Sequence, residues 1–373
     1  MFIVPFKGIC APVDHLARST RALLMGDAFT AVANDEYTLF YNPASLAKNQ
    51  GLSLSLIEPD LSVSDIYSDK DRFQNFPKDD ANAISDRILG IPLYLHAGVT
   101  PGIKLSSFGL SLLANVSSEF ELRNAIHPSL DIDYHYDRGF IIGQAFSMGS
   151  GGEKPQKKKY GQSMQFTPGN KTSLGIAVKH INRQGIQNNY DLFGLDLLNK
   201  IDTSSKDITD IKNSLGYTYS DGWGGDLGLE HIIYSSNSQF SLALAFLDIG
   251  NLHFKNVSGT GQINDKLMEV NFGTSWTQTY WLLDYTLSLD MAPLNQNLSV
   301  QEMLHLGMEV SIPFISVLWG YNGGYLSYGL GLKFWPIKIY GGIYGVELGN
   351  SYKEEEGKRG VVYLSLLDFS FDP

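Results

Sequence analysis

The sequence predicts an all-β protein, a transmembrane antiparallel β-barrel of about fourteen strands. Three observations carry this. Charged residues make up 18% of the 373, against about 25% in soluble domains, while aromatics reach 12% and glycines number 38. The mean hydropathy of -0.10 comes without a helical block. The longest apolar stretch, around Phe314 to Trp319, is far short of the ~18 residues a spanning helix needs. Finally, the apolar residues repeat every second position over segments long enough to cross a bilayer as tilted strands. The net charge of -11 argues against nucleic acid as a main partner. The single cysteine, Cys10, excludes a disulfide framework and a cysteine-based metal site.

The period is clearest in the second half. Trp281, Leu283, Tyr285, Leu287 and Leu289 alternate with Leu282, Asp284, Thr286, Ser288 and Asp290. Leu304 to Ile312 and Leu326 to Phe334 repeat the pattern, with small or polar residues between the apolar ones. Strands of globular proteins usually run about five or six residues; these run about ten or more. Their polar face, rich in Gly, Ser and Thr with isolated acids, suits a barrel lumen. The pattern places strands near 51–64, 92–100, 104–123, 130–147, 172–182, 223–235, 238–248, 266–278, 280–291, 302–312, 314–321, 325–335, 336–348 and 360–371.

Connections then alternate in length. Ser236-Asn237, Thr279, Pro313 and Trp335-Pro336 are tight, whereas 65–91, 183–222, 249–265, 292–301 and 349–359 are long. Short periplasmic turns and long outward loops are the habit of outer-membrane barrels. The expected location is therefore the outer membrane of a Gram-negative-type bacterium, with both termini periplasmic. Gly149 to Asn170, long and basic on the expected periplasmic side, breaks the rule and reads as a mobile loop, the alternative being a strand miscounted upstream. Two outward loops are expected to carry short helices, at Asp79 to Leu89 and Phe193 to Leu215. Trp223, Trp276, Tyr280, Trp281, Trp319 and Trp335 cluster near strand ends and read as interfacial girdles.

Residues 16–48 do not alternate. They are rich in small residues and contain an Asn-Pro turn signal, so the chain divides into 1–50, a periplasmic or lumenal segment, and 51–373, the barrel. The run Arg21 to Asp35 followed by Tyr41-Asn42-Pro43-Ala44-Ser45-Leu46-Ala47 resembles the N-terminal signature of FadL-type outer-membrane proteins, shared by the related PorV-type barrels of type IX secretion. Gly224-Gly225-Asp226-Leu227-Gly228-Leu229, Leu247-Asp248-Ile249-Gly250 and Gly320-Tyr321-Asn322-Gly323-Gly324-Tyr325 extend the resemblance loosely over most of the chain. It implies a hatch plugging a fourteen-stranded barrel, with Arg18, Arg21, Gly26, Asn42, Pro43 and Ala44 as hatch residues. Leu24 and Asp27 stand where the commonest family pattern has glycines. A cleavable export signal is expected for such a barrel, but Met1 to Pro5 has too few apolar residues for one, which points to a truncated or alternative start.

Placing the large apolar residues on lipid puts Asp226, Glu230, Glu269, Asn271, Asp284, Asp290, His305 and Glu309 in the lumen, opposed by Lys179, Lys333 and Lys338. Buried carboxylates need partners or water. The expected partners are Arg18 and Arg21, which would hold the hatch in place; the alternative is a wet lumen that solvates the acids, with both arginines at the periplasmic rim. No Ser/His/Asp set falls on adjacent inward positions. Gly149 to Lys154 lacks the ending of a phosphate loop, and no metal spacing appears. No enzyme activity, cofactor or metal is expected.

The resemblance implies uptake of hydrophobic small molecules such as long-chain fatty acids, released sideways near a kinked strand. Gly98 to Ser107 is where such a defect is expected. The alternative is a PorV-like barrel holding a protein partner or secreted cargo at its outward loops. Phe73, Phe76, Ile88, Leu89, Phe193 and Leu197 are candidate ligand-binding loop residues under the first reading and docking residues under the second.

Overall fold

The computed structural model describes residues 15–49, 51–65, 70–74, 87, 89–124, 127–153, 166–191, 212–349 and 351–371. Its strands are β1 (Leu52–Ile57), β2 (Pro59–Ser64), β3 (Leu93–Val99), β4 (Gly102–Leu105), β5 (Phe108–Arg123), β6 (Ser129–Gly149), β7 (Gly152–Glu153), β8 (Phe166–Thr167), β9 (Gly169–Asp191) and β10 (Thr218–Tyr234). They continue with β11 (Ser238–Leu247), β12 (Lys255–Gly259), β13 (Glu269–Tyr280), β14 (Leu283–Met291), β15 (Leu304–Ile312), β16 (Ile315–Asn322), β17 (Tyr325–Phe334), β18 (Ile337–Glu347) and β19 (Glu356–Phe371). β1 with β2 and β3 with β4 each form one interrupted wall strand, and antiparallel pairing around the ring closes a 14-strand barrel. The last strand seals on the first, with Leu52 opposite Phe371 and Ile57 opposite Leu366.

Alternation sets which face of each strand meets lipid. Leu174, Ile176 and Val178 of β9 are exposed while Ser173, Ala177 and Lys179 are buried. Leu326, Tyr328, Leu330, Leu332 and Phe334 of β17 likewise form an exposed apolar row. Such a belt around a closed cylinder, with no unpaired edge, is how strands cross a bilayer. Tyr280, Trp281 and Trp335 sit exposed at the tight-turn end, a position suited to an interface.

The structure relocates one turn. The strands expected at 92–100 and 104–123 put a turn at 101–103, across Pro101-Gly102, yet the chain runs on through β4 and reverses at Ser106-Ser107. Leu105 pairs with Phe108, and Ser106 takes a left-handed φ of 50°. The turn signal instead marks an interruption in the strand. β9 and β10 also extend past the expected 172–182 and 223–235, and the long 249–265 connection contains β12, which continues the wall beside β10. The basic connection after β6 begins and ends as a β7–β8 hairpin, and 154–165 lie outside the described residues, so the strand count upstream stands. The helix expected at Asp79 to Leu89 falls mostly outside the described residues; a short α3 (Lys70–Phe73) precedes it.

The interruption leaves a local defect. β1 pairs with β4 as far as Ser55 opposite Gly102, and β2 resumes with β3 at Pro59 opposite Val99. Leu56, Ile57 and Glu58 therefore face Thr100 and Pro101 with the register slipped by one. Pro101 has no N–H to offer. Leu56 and Ile57 are exposed, whereas Glu58 is fully buried.

Residues 15–49 lie inside the cylinder. They form α1 (Thr20–Leu24), α2 (Thr38–Tyr41) and a 3-10 turn (Pro43–Lys48). Ala22, Leu24, Met25, Phe29, Leu39 and Leu46 are buried in one core with wall residues Ile141, Ala177, Ile181 and Leu318. Short helices of this kind are not stable alone; the wall packs them.

Candidate functional site

The interior plug is fitted to the wall through glycines. Gly26 follows α1 with φ 66°, a conformation favoured for residues without a Cβ. A Cβ there would lie 2.5 Å from the Tyr321 nitrogen and 2.6 Å from the Leu306 oxygen. The Asn42-Pro43-Ala44 turn is built the same way. The Asn42 side chain accepts from the Ala44 N–H and donates to the Thr30 carbonyl. Gly228 and Gly175 of the wall back directly against this turn. Leu24 fills the space left by Gly329 and Gly342.

Ionic and hydrogen-bonded anchors complete the fit. Arg21 reaches Glu309 at 2.6 Å, and Lys333 holds the other oxygen of that carboxylate at 3.1 Å. Arg21 also donates to Asn34 and lies over the Phe29 ring. Lys48 pairs with the buried Glu230 at 2.7 Å, which also accepts from Ser45. Asp290 accepts the backbone N–H of both Phe29 and Thr30, at 2.8 and 2.7 Å. Lys104 donates to the carbonyls of Asn34 and Asp35, and Lys171 to that of Ala47. Tyr363 donates to Glu36. These bonds come from strands on several sides of the ring, so the plug is held around its circumference.

One expected pairing is corrected. Among the described residues the acid that Arg18 pairs with is Asp27, 3.5 Å away on the plug itself, and not a wall acid. Asp27, at a left-handed φ of 61°, also accepts from the Tyr41 hydroxyl at 2.9 Å. Burial alone would push this carboxyl up, but Arg18 and then His15 and His305 outweigh it and hold it below its ordinary range. Asp27 thus ties the plug's two helical ends together.

The remaining lumenal acids are placed as follows. Lys179 bridges Asp226 and Asp248 at 2.9 and 2.7 Å, and Lys266 bridges Asp248 and Glu269 at 2.8 and 2.5 Å. Asp284 faces inward, partly buried. Lys48, Lys104 and Lys171 carried no signal in sequence, because neither alternation nor motif marks a lysine that caps backbone carbonyls. Among the candidate loop residues, Phe76, Ile88, Phe193 and Leu197 lie outside the described residues, as does the side chain of Phe73. Leu89 forms an isolated bridge with Leu122.

Two cavities lined by described residues adjoin the plug. The larger, of about 280 Å³, is of mixed polarity, with His15, Arg18, His96, Asp133, His135 and Arg359 in its lining. The smaller, of about 110 Å³, has an apolar side made by Phe40, Tyr41, Leu247, Pro293, Leu298 and Val346. Its polar side includes His15, Asn271, His305 and Asn322. Both share His15, Arg18 and Glu269. Among the described residues no group of three or more candidate ligands suits a metal ion.

Barrel and plug together define a transmembrane β-barrel of the outer-membrane type whose lumen is occupied by its own N-terminal segment. No protein-family model matches the sequence, and no curated protein matches it. Among solved structures the chain is similar to a deltaS2S3 mutant of TodX, a monoaromatic hydrocarbon channel, at 9% identity over 94% of this chain and 99% of that one, with a TM-score of 0.47. It is similar to the Ralstonia pickettii toluene transporter TbuX at 9% identity, 95% and 100% coverage and a TM-score of 0.39. A Pseudomonas aeruginosa FadL homologue matches at 9% identity, 95% and 98% coverage and 0.27. All three scores lie below 0.5, so the fold rests on the strand pairing itself.

Proposed function

We propose that this protein is an outer-membrane channel for small, largely apolar molecules, which pass between plug and wall. The observation that carries this reading is the smaller cavity. Its apolar lining combines the plug residues Phe40 and Tyr41 with Leu247, Pro293, Leu298 and Val346. A cavity on the order of 150 Å³ accommodates a benzene ring; at about 110 Å³ this one is of single-ring scale. That favours ring-sized molecules over the long-chain fatty acids that the family resemblance implies. Proteins described as toluene transporters handle molecules of this size.

The ladder defect at Leu56–Glu58 and Thr100–Pro101 supports a sideways exit, because the wall there has fewer hydrogen bonds to break. The plug's anchors argue against its wholesale ejection. With the small cavity blocked by Leu247→Trp, cells carrying the channel are expected to take up labelled toluene no faster than cells without it. The variant's heat-modifiable gel migration would show that the barrel still folds. Uptake equal to that of the unmodified chain would overturn the reading.

A further inference from the structure

Strands β6 and β9 run 21 and 23 residues, about twice the ten or so that a tilted strand needs to cross a bilayer. The outer face of their surplus, with that of β10 and β12, is layered. Cross-strand partners point to the same side of a sheet, so the register orders this face row by row. Ile142 of β6, Ile176 and Val178 of β9 and Leu227 of β10 belong to the exposed apolar belt. The next row is aromatic. Phe140, His180 and Trp223 are partners across β6, β9 and β10. The His180 and Trp223 rings lie 4.6 Å apart, and Trp223 is 63% exposed. An exposed Trp at the end of an apolar belt marks the membrane interface.

The row beyond is charged. Arg138, Asn182, Asp221 and Lys255 stand side by side on β6, β9, β10 and β12. Arg138 and Lys255 are exposed. The Asp221 carboxylate accepts from the Asn182 amide at 2.6 Å and lies 3.8 Å from His180 Nε2. Arg138 donates through Nε to Asn182 at 3.2 Å and through Nη2 to the Tyr219 hydroxyl. The row thus carries two cations against one acid, and these bonds do not use the Nη1 hydrogens of Arg138. One row further out Tyr136, Gln184 and Tyr219 are partners, and Tyr134 follows on the same face of β6. Tyrosine offers a flat apolar ring with a polar tip.

Apolar, then cationic, then hydroxyl-bearing aromatic is the order in which a membrane glycolipid presents its acyl chains, phosphate and sugar. Guanidinium is matched to phosphate in geometry and charge, and basic side chains at a membrane surface attract anionic head groups. We infer that this face of the barrel is a docking site for a phosphorylated glycolipid of the surrounding membrane. Its acyl chains lie on the belt, its phosphate at Arg138 and Lys255, and its sugar on the tyrosines. The inference needs the barrel but not the channel reading.

Native mass spectrometry of the full-length protein in detergent, titrated in turn with bisphosphorylated lipid A, its dephosphorylated form and phosphatidylglycerol, tests this. The dephosphorylated form keeps chains and sugar; phosphatidylglycerol keeps a phosphate without the sugar. Lipid A is expected to bind tighter than either, by about tenfold or more over the dephosphorylated form. Arg138→Gln combined with Lys255→Gln is expected to remove that advantage, whereas Lys353→Gln, at an exposed lysine between β18 and β19, leaves it. The three-lipid comparison uses the unmodified chain, so a misfolded double variant cannot obscure it. Lipid A binding no better than its dephosphorylated form, or no better than phosphatidylglycerol, would overturn the inference. An advantage that survives the double substitution would overturn it as well.

Discussion

Gly26 of the plug and Gly320 of β16 touch backbone to backbone: a Cβ on Gly320 would lie 2.0 Å from the Gly26 nitrogen. No side chain separates plug from wall here, and the contact joins two motifs almost three hundred residues apart in sequence. Gly320→Ala is therefore expected to displace the plug, read as rapid proteolysis within residues 15–49 of an otherwise folded barrel. Gly360→Ala is the control, because a Cβ at Gly360 meets nothing within 4 Å.

Arg21 and Glu309 form the shortest plug-to-wall ion pair described above. Removing one partner of a buried pair is destabilising by about 3–5 kcal/mol. Because Lys333 still neutralises Glu309, Arg21→Ala is expected near the low end, about 3 kcal/mol. That corresponds to roughly a hundredfold rise in plug opening, measurable by limited proteolysis. An unchanged rate would show that the ion pair does not hold the plug.

Asp27 gives the plug an acid limit. Its folded carboxyl titrates below the ordinary range, so its contribution is fully present above the unfolded value near pH 4. It is lost as pH falls through the lower folded value. Asp27→Asn is expected to flatten the dependence of plug proteolysis on pH below about 4, provided an acid-stable protease such as pepsin is used.

Much of this architecture was legible in the sequence, and the rest was hidden for identifiable reasons. The row Trp281 to Leu289 announces a wall strand because lipid and lumen each take every second residue. Asn42-Pro43-Ala44 and the glycines of β10 and β16 announce close backbone packing. Pro101-Gly102 misleads because proline and glycine mark a broken ladder as readily as a turn. The Arg18–Asp27 pair was hidden because charge patterning shows that an acid is needed but not that it stands nine positions away on the same segment. The network from Lys179 to Glu269 arises only when β9, β10, the turn after β11 and β13 are brought together.

Pro101 offers a way to separate binding from release. Replacing it by Val restores an N–H opposite the interrupted stretch of the first strand. The expected outcome is unchanged toluene binding with slower uptake. Equal slowing of both, or of neither, would remove the sideways exit from the account.

Planar-bilayer recording of the intact protein tests most directly whether the lumen is closed by its own N-terminal segment. No sustained ionic conductance is expected from the unmodified chain, with openings appearing in Gly320→Ala. A steady, open aqueous pore in the unmodified chain would contradict it.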